Sequence, residues 1–292
     1  AATDRMGSTS TPHAPTYSSV AAWGEAFGGW GRFDGNGNAA AIHNDRGGFI
    51  AGVDSEIGDA WRAGVAGGVT SSSLDDDARN SSADINSYNL ALYAGRSFDA
   101  LNLRFGGAYS WQTVSMNRTV VFPGFDERVG SDYDARTGQI FGEVGYSLNW
   151  RDVAFEPFAG FSFVHLDTDA AHEKGGDAAL DMRGDNFNVA YSTLGLRLGT
   201  VWTLSDTAVL TPHLSLAWQH AAGDVGPSAN LAFDTGDAFS VSGTPLARNA
   251  ALVEAGANLA IGNTISFGLS YKGTLAEHAQ DHQIKGDLNW RF

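Results

Sequence analysis

The stretch LNLRFGGAYSWQ, from Leu101 to Gln112, decides the fold. Leu101, Leu103, Phe105, Tyr109 and Trp111 fall on one face of an extended chain, and Asn102, Arg104, Gly106, Ser110 and Gln112 on the other. This period of two is the side-chain alternation of a β-strand. The split recurs where Ile140, Val144, Tyr146, Leu148 and Trp150 oppose Gln139, Glu143, Gly145, Ser147 and Asn149. Ile265, Phe267, Leu269 and Tyr271 likewise oppose Ser266, Gly268, Ser270 and Lys272, and Ile284, Leu288, Trp290 and Phe292 oppose Lys285, Asp287, Asn289 and Arg291.

About twelve such segments run from Val20 to Phe292. Each is near or above the roughly 9 to 11 residues that a tilted strand needs to cross a bilayer. Strands of soluble proteins cluster around roughly 5 to 6 residues, which makes a soluble sandwich the weaker reading. The connections alternate in length. Tight turns are expected at Gly58–Asp59, Asp99–Ala100, Arg151–Asp152, Ser205–Asp206 and Gly262–Asn263. Between them the sequence predicts longer polar loops at Asp34–Asp45, Ser71–Ala83, Met116–Asp132, Asp167–Asp185 and Ala221–Pro245, with a short one at Ala276–Asp281. Short turns at one rim and long loops at the other are the pattern of an outer-membrane barrel, with turns in the periplasm and loops outside. An even strand count puts both barrel ends in the periplasm.

The expected fold is therefore all-β, a transmembrane antiparallel up-and-down barrel of about 12 strands over residues 20–292. Ala1–Ser19, rich in Ala, Ser and Thr and interrupted by Pro12 and Pro15, reads as a flexible lead-in or linker remnant. Composition agrees. The 37 glycines are scattered, which suits a curved sheet whose backbones approach closely. A formal net charge of −15 argues against nucleic acid as a partner. Cysteine is absent, which removes thiol chemistry and cysteine metal sites. No apolar run is long enough for a membrane helix.

A closed barrel satisfies every backbone N–H and C=O within hydrocarbon and leaves no free edge. The apolar faces are then expected to meet lipid, with Trp61, Phe98, Trp150, Trp202, Trp290 and Phe292 in an interfacial aromatic girdle. The polar faces carry the pore-lining candidates Asp54, Glu56, Arg62, Arg104, Glu143, Glu156, Arg197, Glu254, Lys272 and Lys285. So many charges of both signs would be costly in a dry interior, whereas a hydrated or mutually paired lumen accommodates them. A structural lattice of salt bridges is the preferred reading over catalysis.

These residues resemble a known family, the C-terminal translocator domain of autotransporters in type V secretion. The resemblance runs from about Trp23 to Phe292. It rests on AWGEAFGGWGRFDG at Ala22–Gly35, GGFIAGVDSEIGDAWRAGVAGGVT at Gly47–Thr70, QIFGEVGYSL at Gln139–Leu148 and the terminal aromatic Phe292. It implies a twelve-stranded barrel threaded by an N-terminal helix, joined to a passenger upstream in the same polypeptide. It further implies insertion by the barrel-assembly machinery, with Ile284, Leu288, Trp290 and Phe292 as the C-terminal assembly signal. Ala1–Ser19 departs from the family pattern, because it holds no convincing amphipathic helix. Some members cut the passenger at an asparagine helped by inward acidic residues. Glu25, Asp54, Glu56, Glu143 and Glu254 fit that description, but Ala1–Trp23 contains no asparagine.

Enzymatic readings find less support. His165 and His172 flank Asp167 and Asp169, but loop histidines are more often solvated. His278 and His282, four apart, would form a ligand pair on a helix, and here the region reads as a hairpin. No G-x-S-x-G, P-loop or H-E-x-x-H motif occurs. The expected function is export of an upstream passenger by a monomeric barrel in outer-membrane lipid, without cofactor or metal. The alternative is a free-standing porin or channel.

Overall fold

The computed structural model describes residues 20–35, 40–58, 61–76 and 78–291. The expectations for Ala1–Ser19, Asp59 and Phe292 fall outside these residues. Twelve strands form the wall: β1 (Val20–Phe33), β2 (Ile42–Ile57), β3 (Trp61–Asp76), β4 (Ser81–Phe98), β5 (Leu101–Phe122) and β6 (Phe125–Tyr146), then β7 (Val153–Thr168), β8 (Asp185–Thr200), β9 (Ala208–Gly223), β10 (Asn249–Ile261), β11 (Ile265–Ala276) and β12 (Ala279–Arg291). Each pairs antiparallel with its sequence neighbours. The first and last strands pair with each other over Ala21↔Arg291 to Phe33↔Ala279, so the sheet closes and exposes no edge.

The turns after β2, β4, β6, β8 and β10 share one rim with Val20 and Arg291. Non-glycine residues take positive φ in two of them, Asp99 (51°) and Arg151 (55°), as the tightest hairpin turns demand. The opposite rim departs from the sequence expectation. Met116–Asp132 is not a loop. There β5 and β6 continue as a hairpin with unbroken register from Leu101↔Tyr146 to Phe122↔Phe125. Pro123–Gly124 turns it, with Gly124 at φ 88°, the pairing that a type II turn selects. Its polar side chains, which suggested a loop, bond across strands, as Ser115 does to Asp132 at 2.6 Å. Strand structure also invades the expected loop at Ser71–Ala83, where β3 runs to Asp76 and β4 starts at Ser81.

Two connections at this rim are long. Within them Ala171–His172, Leu180–Met182, Ser228–Phe233 and Phe239–Ser242 build a separate four-stranded sheet. Arg118 of β5 anchors the first connection by two hydrogen bonds to Glu173, at 2.7 and 2.6 Å, and a third to the Ala178 carbonyl.

Side chains sort by face as the alternation requires. Leu92, Ile140, Leu269 and Trp290 point outward and are more than half exposed. The inner face is tighter than a simple polar lining. Trp23, Phe27, Tyr93, Phe141 and Phe158 lie on it, each leaning over a glycine of an adjacent strand. A Cβ on Gly52 would stand 2.7 Å from the Trp23 ring, and one on Gly48, Gly64, Gly106 or Gly195 would meet Phe27, Tyr93, Phe141 or Phe158 as closely. Many of the scattered glycines thus make room for large inward side chains.

Candidate functional site: the polar belt of the lumen

Where inward positions come level around the barrel, almost every strand presents a polar or charged group. Four adjacent strands build the densest part. Arg104 of β5 lies 2.7 Å from both Glu143 of β6 and Glu156 of β7. Arg197 of β8 reaches the same two carboxylates at 2.6 and 2.8 Å, and its guanidinium sits 3.8 Å from the Phe158 ring centre. Asn102 donates to Glu156 at 2.5 Å and to Ser147 at 2.8 Å, and accepts from Ser97 at 2.6 Å. Arg104 is only 4 % exposed and Glu156 2 %, so this quartet is a buried lattice whose charges neutralise one another. Two cations against two anions, each satisfied by more than one partner, is the condition under which buried charge is tolerable.

A second chain of contacts crosses β1 to β4. The Trp23 indole N–H donates to the Tyr93 hydroxyl at 2.6 Å, which donates to Asp54 at 2.8 Å. Arg62 donates to the other Asp54 oxygen at 2.5 Å. Trp23 and Tyr93 form an apolar cluster with Ala66, against which Ile50, Ala91 and Phe141 pack. The belt closes through β12 and β1, where Lys285 Nζ lies 3.5 Å from Glu25, and through β9 and β10, where His213 lies 3.9 Å from Glu254. Glu254 faces Lys272 in the register of β10 and β11. A cavity of about 450 Å³ opens inside this part of the wall, with Glu156, Arg197, His213, Glu254 and Asn258 in its lining.

Of the ten predicted lumen residues, Arg104, Glu143, Glu156 and Arg197 converge on one lattice, and Asp54 and Arg62 on another. Glu254, Lys272 and Lys285 stand on the remaining wall. Glu56 has the inward parity of Asp54 but ends β2 at the turn rim and is exposed. Glu25, named from the sequence among the inward acids but not in the lumen list, is as enclosed as Glu156, 2 % exposed. Sequence reasoning missed Trp23 and Tyr93 altogether, because β1 and β4 both carry aromatic residues on both faces. The parity of Glu25, two residues on from Trp23, was the available signal.

The histidine pairs considered for catalysis do not assemble. His165 contacts Asn188 at 2.8 Å, while Asp167 and Asp169 turn to Arg136. His172 pairs with Asp181 on the small outer sheet. His278 lies in the turn after β11, and His282 packs between Trp30 and Tyr271 on the outer surface. At the C-terminus Ile284, Leu288 and Trp290 project outward together.

The family model of the autotransporter beta-domain matches residues 22–272. The chain belongs to this family. It is 36% identical over 274 residues to an extracellular serine protease of Serratia marcescens, covering 93% of this chain and 26% of that protein. It is 23% identical over 264 residues to the probable outer membrane protein pmp18 of Chlamydia pneumoniae, covering 88% of this chain and 27% of that one. The chain thus spans about a quarter of the length of the curated relatives it matches. In fold it is similar to the translocator domain of the autotransporter NalP from Neisseria meningitidis (TM-score 0.75, 16% identity, 95% and 90% of the two chains). It is also similar to the beta domain of the Bordetella autotransporter BrkA (TM-score 0.70, 16% identity, 94% and 100%). The autotransporter beta-domain is an outer-membrane β-barrel of type V secretion, and its role is translocation of a passenger carried in the same polypeptide. In this beta-domain the polar belt lines the space inside the barrel.

Proposed function

We propose that residues 20–292 form the translocating unit, with Ala1–Ser19 as its lead-in, and that the exported chain passes through the lumen beside the polar belt. The observation that carries this reading is the way the belt is satisfied. The β5–β8 quartet and the Trp23–Tyr93–Asp54–Arg62 chain neutralise their own charges, so a polypeptide of varied sequence meets a wall that holds none of its side chains strongly. The cavity lined by His213, Glu254 and Asn258 supplies space on the wall opposite Asp54.

In this reading the turn rim is periplasmic and the loop rim extracellular. Asp54, Glu56, Arg62, Arg104, Glu143, Glu156, Arg197, Glu254, Lys272 and Lys285 line or brace the passage, and none acts as a catalyst. The outward row Ile284, Leu288 and Trp290 on the last strand, together with the following Phe292, is the signal read by the barrel-assembly machinery. The barrel works as a monomer in outer-membrane lipid, since one chain closes the sheet. Any enzymatic activity belongs to the passenger.

The test uses the full-length polypeptide in intact cells. Protease added outside should degrade the passenger, and an epitope inserted between Pro123 and Gly124 should be accessible from outside. Deleting β12 should abolish both signals. Surface passenger in the absence of β12 would refute the reading, and an epitope accessible only after the outer membrane is opened would reverse the orientation.

A further inference from the structure

Outward-facing arginines occur near both rims, but their partners differ. Near the loop rim Arg32 lies 3.0 Å from Asp34, and Arg136 lies 3.8 and 3.5 Å from Asp167 and Asp169. Near the turn rim, Arg96 stands two residues from the end of β4, on the outward face it shares with Leu92 and Phe98. Among the described residues no carboxylate pairs with it. Its guanidinium carbon lies 4.4 Å from the Phe98 ring centre and 5.8 Å from that of Trp61. Trp61 in turn meets Phe98 at 6.4 Å and Phe105 at 5.7 Å, both edge-on. Arg151 repeats the theme in the next turn along, 5.1 Å from the Trp150 ring centre.

A permanent cation is therefore held against two aromatic rings, Phe98 and Trp61, on the surface that meets lipid. The ring faces attract its charge but offer its N–H groups no lone pair comparable to an oxygen. Its Nε is buried and has no acceptor. At the boundary of hydrocarbon and water, lipid phosphates supply the anionic oxygens that the described residues do not. A guanidinium fork matches a phosphate bidentately, and the flanking rings suit the first methylenes of an acyl chain.

We propose that Arg96, with Trp61, Phe98 and Phe105, binds the phosphate of an anionic phospholipid in the leaflet at the turn rim. Only the naming of that leaflet as periplasmic rests on the translocator reading. The experiment places the folded barrel in nanodiscs of mixed phosphatidylglycerol and phosphatidylcholine, and native mass spectrometry counts the lipids that stay bound after release. The wild type should retain phosphatidylglycerol preferentially. Arg96→Gln should lower that preference by about fivefold, the effect of one basic residue at an anionic surface. Arg32→Gln, at the other rim and already paired with Asp34, should leave it unchanged.

Heat-modifiable migration establishes that each variant is folded. If Arg96→Gln fails to fold, Phe98→Leu, which removes the ring beneath the guanidinium, should lower the preference in the same direction. An unchanged preference in either folded variant overturns the site. So does displacement of the retained lipid by free inorganic phosphate, which would mark a general phosphate site instead. Both leaflets of a nanodisc hold the same lipids, so this result is independent of the orientation of the barrel in cells.

Discussion

Arg104 and Arg197, on strands separated by two others, both place a terminal nitrogen on the same oxygen of Glu156, at 2.7 and 2.8 Å. The two guanidiniums repel, and Glu143, which both also contact, supplies the second negative charge that makes the arrangement neutral. The wall of the lumen is thereby cross-linked over four strands by side chains as well as by the backbone ladder.

Removing one member should unbalance the rest. Arg104→Gln leaves two carboxylates against one arginine in a buried place, a change that costs about 3–5 kcal/mol. Urea unfolding of the barrel in vesicles, followed by heat-modifiable migration, should show the midpoint falling accordingly. The double variant R104Q/E143Q should lose less than the sum of its two single variants, because the charges are coupled.

The inward glycines should resist even a methyl group. Gly52→Ala places a carbon 2.7 Å from the Trp23 ring, which is itself pinned by Tyr93 and has little freedom to retreat. Overpacking of this kind costs about 1–3 kcal/mol. The same unfolding measurement checks it, with Gly28→Ala as the control, since nothing lies within 4 Å of a Cβ there.

Depth in the bilayer separates two outward positions on neighbouring strands. Leu269→Arg, in the middle of β11 and 64 % exposed on the outer face, should destabilise the barrel by about 2–4 kcal/mol. Ile261→Arg, at the turn rim, should cost about 0–1 kcal/mol. Equal costs would contradict the assignment of this face to hydrocarbon.

The outer latch makes a proteolytic prediction. Arg118 ties down the segment containing Lys174, whose backbone also pairs with Gly130 in both directions. Arg118→Ala should free it, so that trypsin cuts after Lys174 markedly faster than in the wild type, with the barrel remaining folded. Unchanged cleavage would show that the backbone pairing alone holds the segment.

Strand identity, the closing of the barrel and the turn rim were legible because period two is a local property of the sequence. The faces of β5, β6, β11 and β12 were equally plain, since each segregates apolar from polar side chains. Two features were hidden. Whether Trp23 faces lipid or lumen depends on Gly52 and on Tyr93, which lies 70 residues away and supplies its hydrogen-bond partner. The polar stretch Met116–Asp132 resembles a loop because above the membrane both faces of a hairpin can be wet, and only Pro123–Gly124 marks where it turns. The lattice partners of Arg104 and Arg197 could be named as inward charges, but their convergence required the register of four strands.

The central claim, that the exported chain passes the polar belt, is tested most directly by a photo-reactive residue replacing Asn258 in the cavity lining, with a second replacing outward Leu269. Irradiation during export of the full-length polypeptide should cross-link the passenger to position 258 and not to position 269. A passenger that reaches the surface while cross-linking only to position 269, or to neither, would contradict the account.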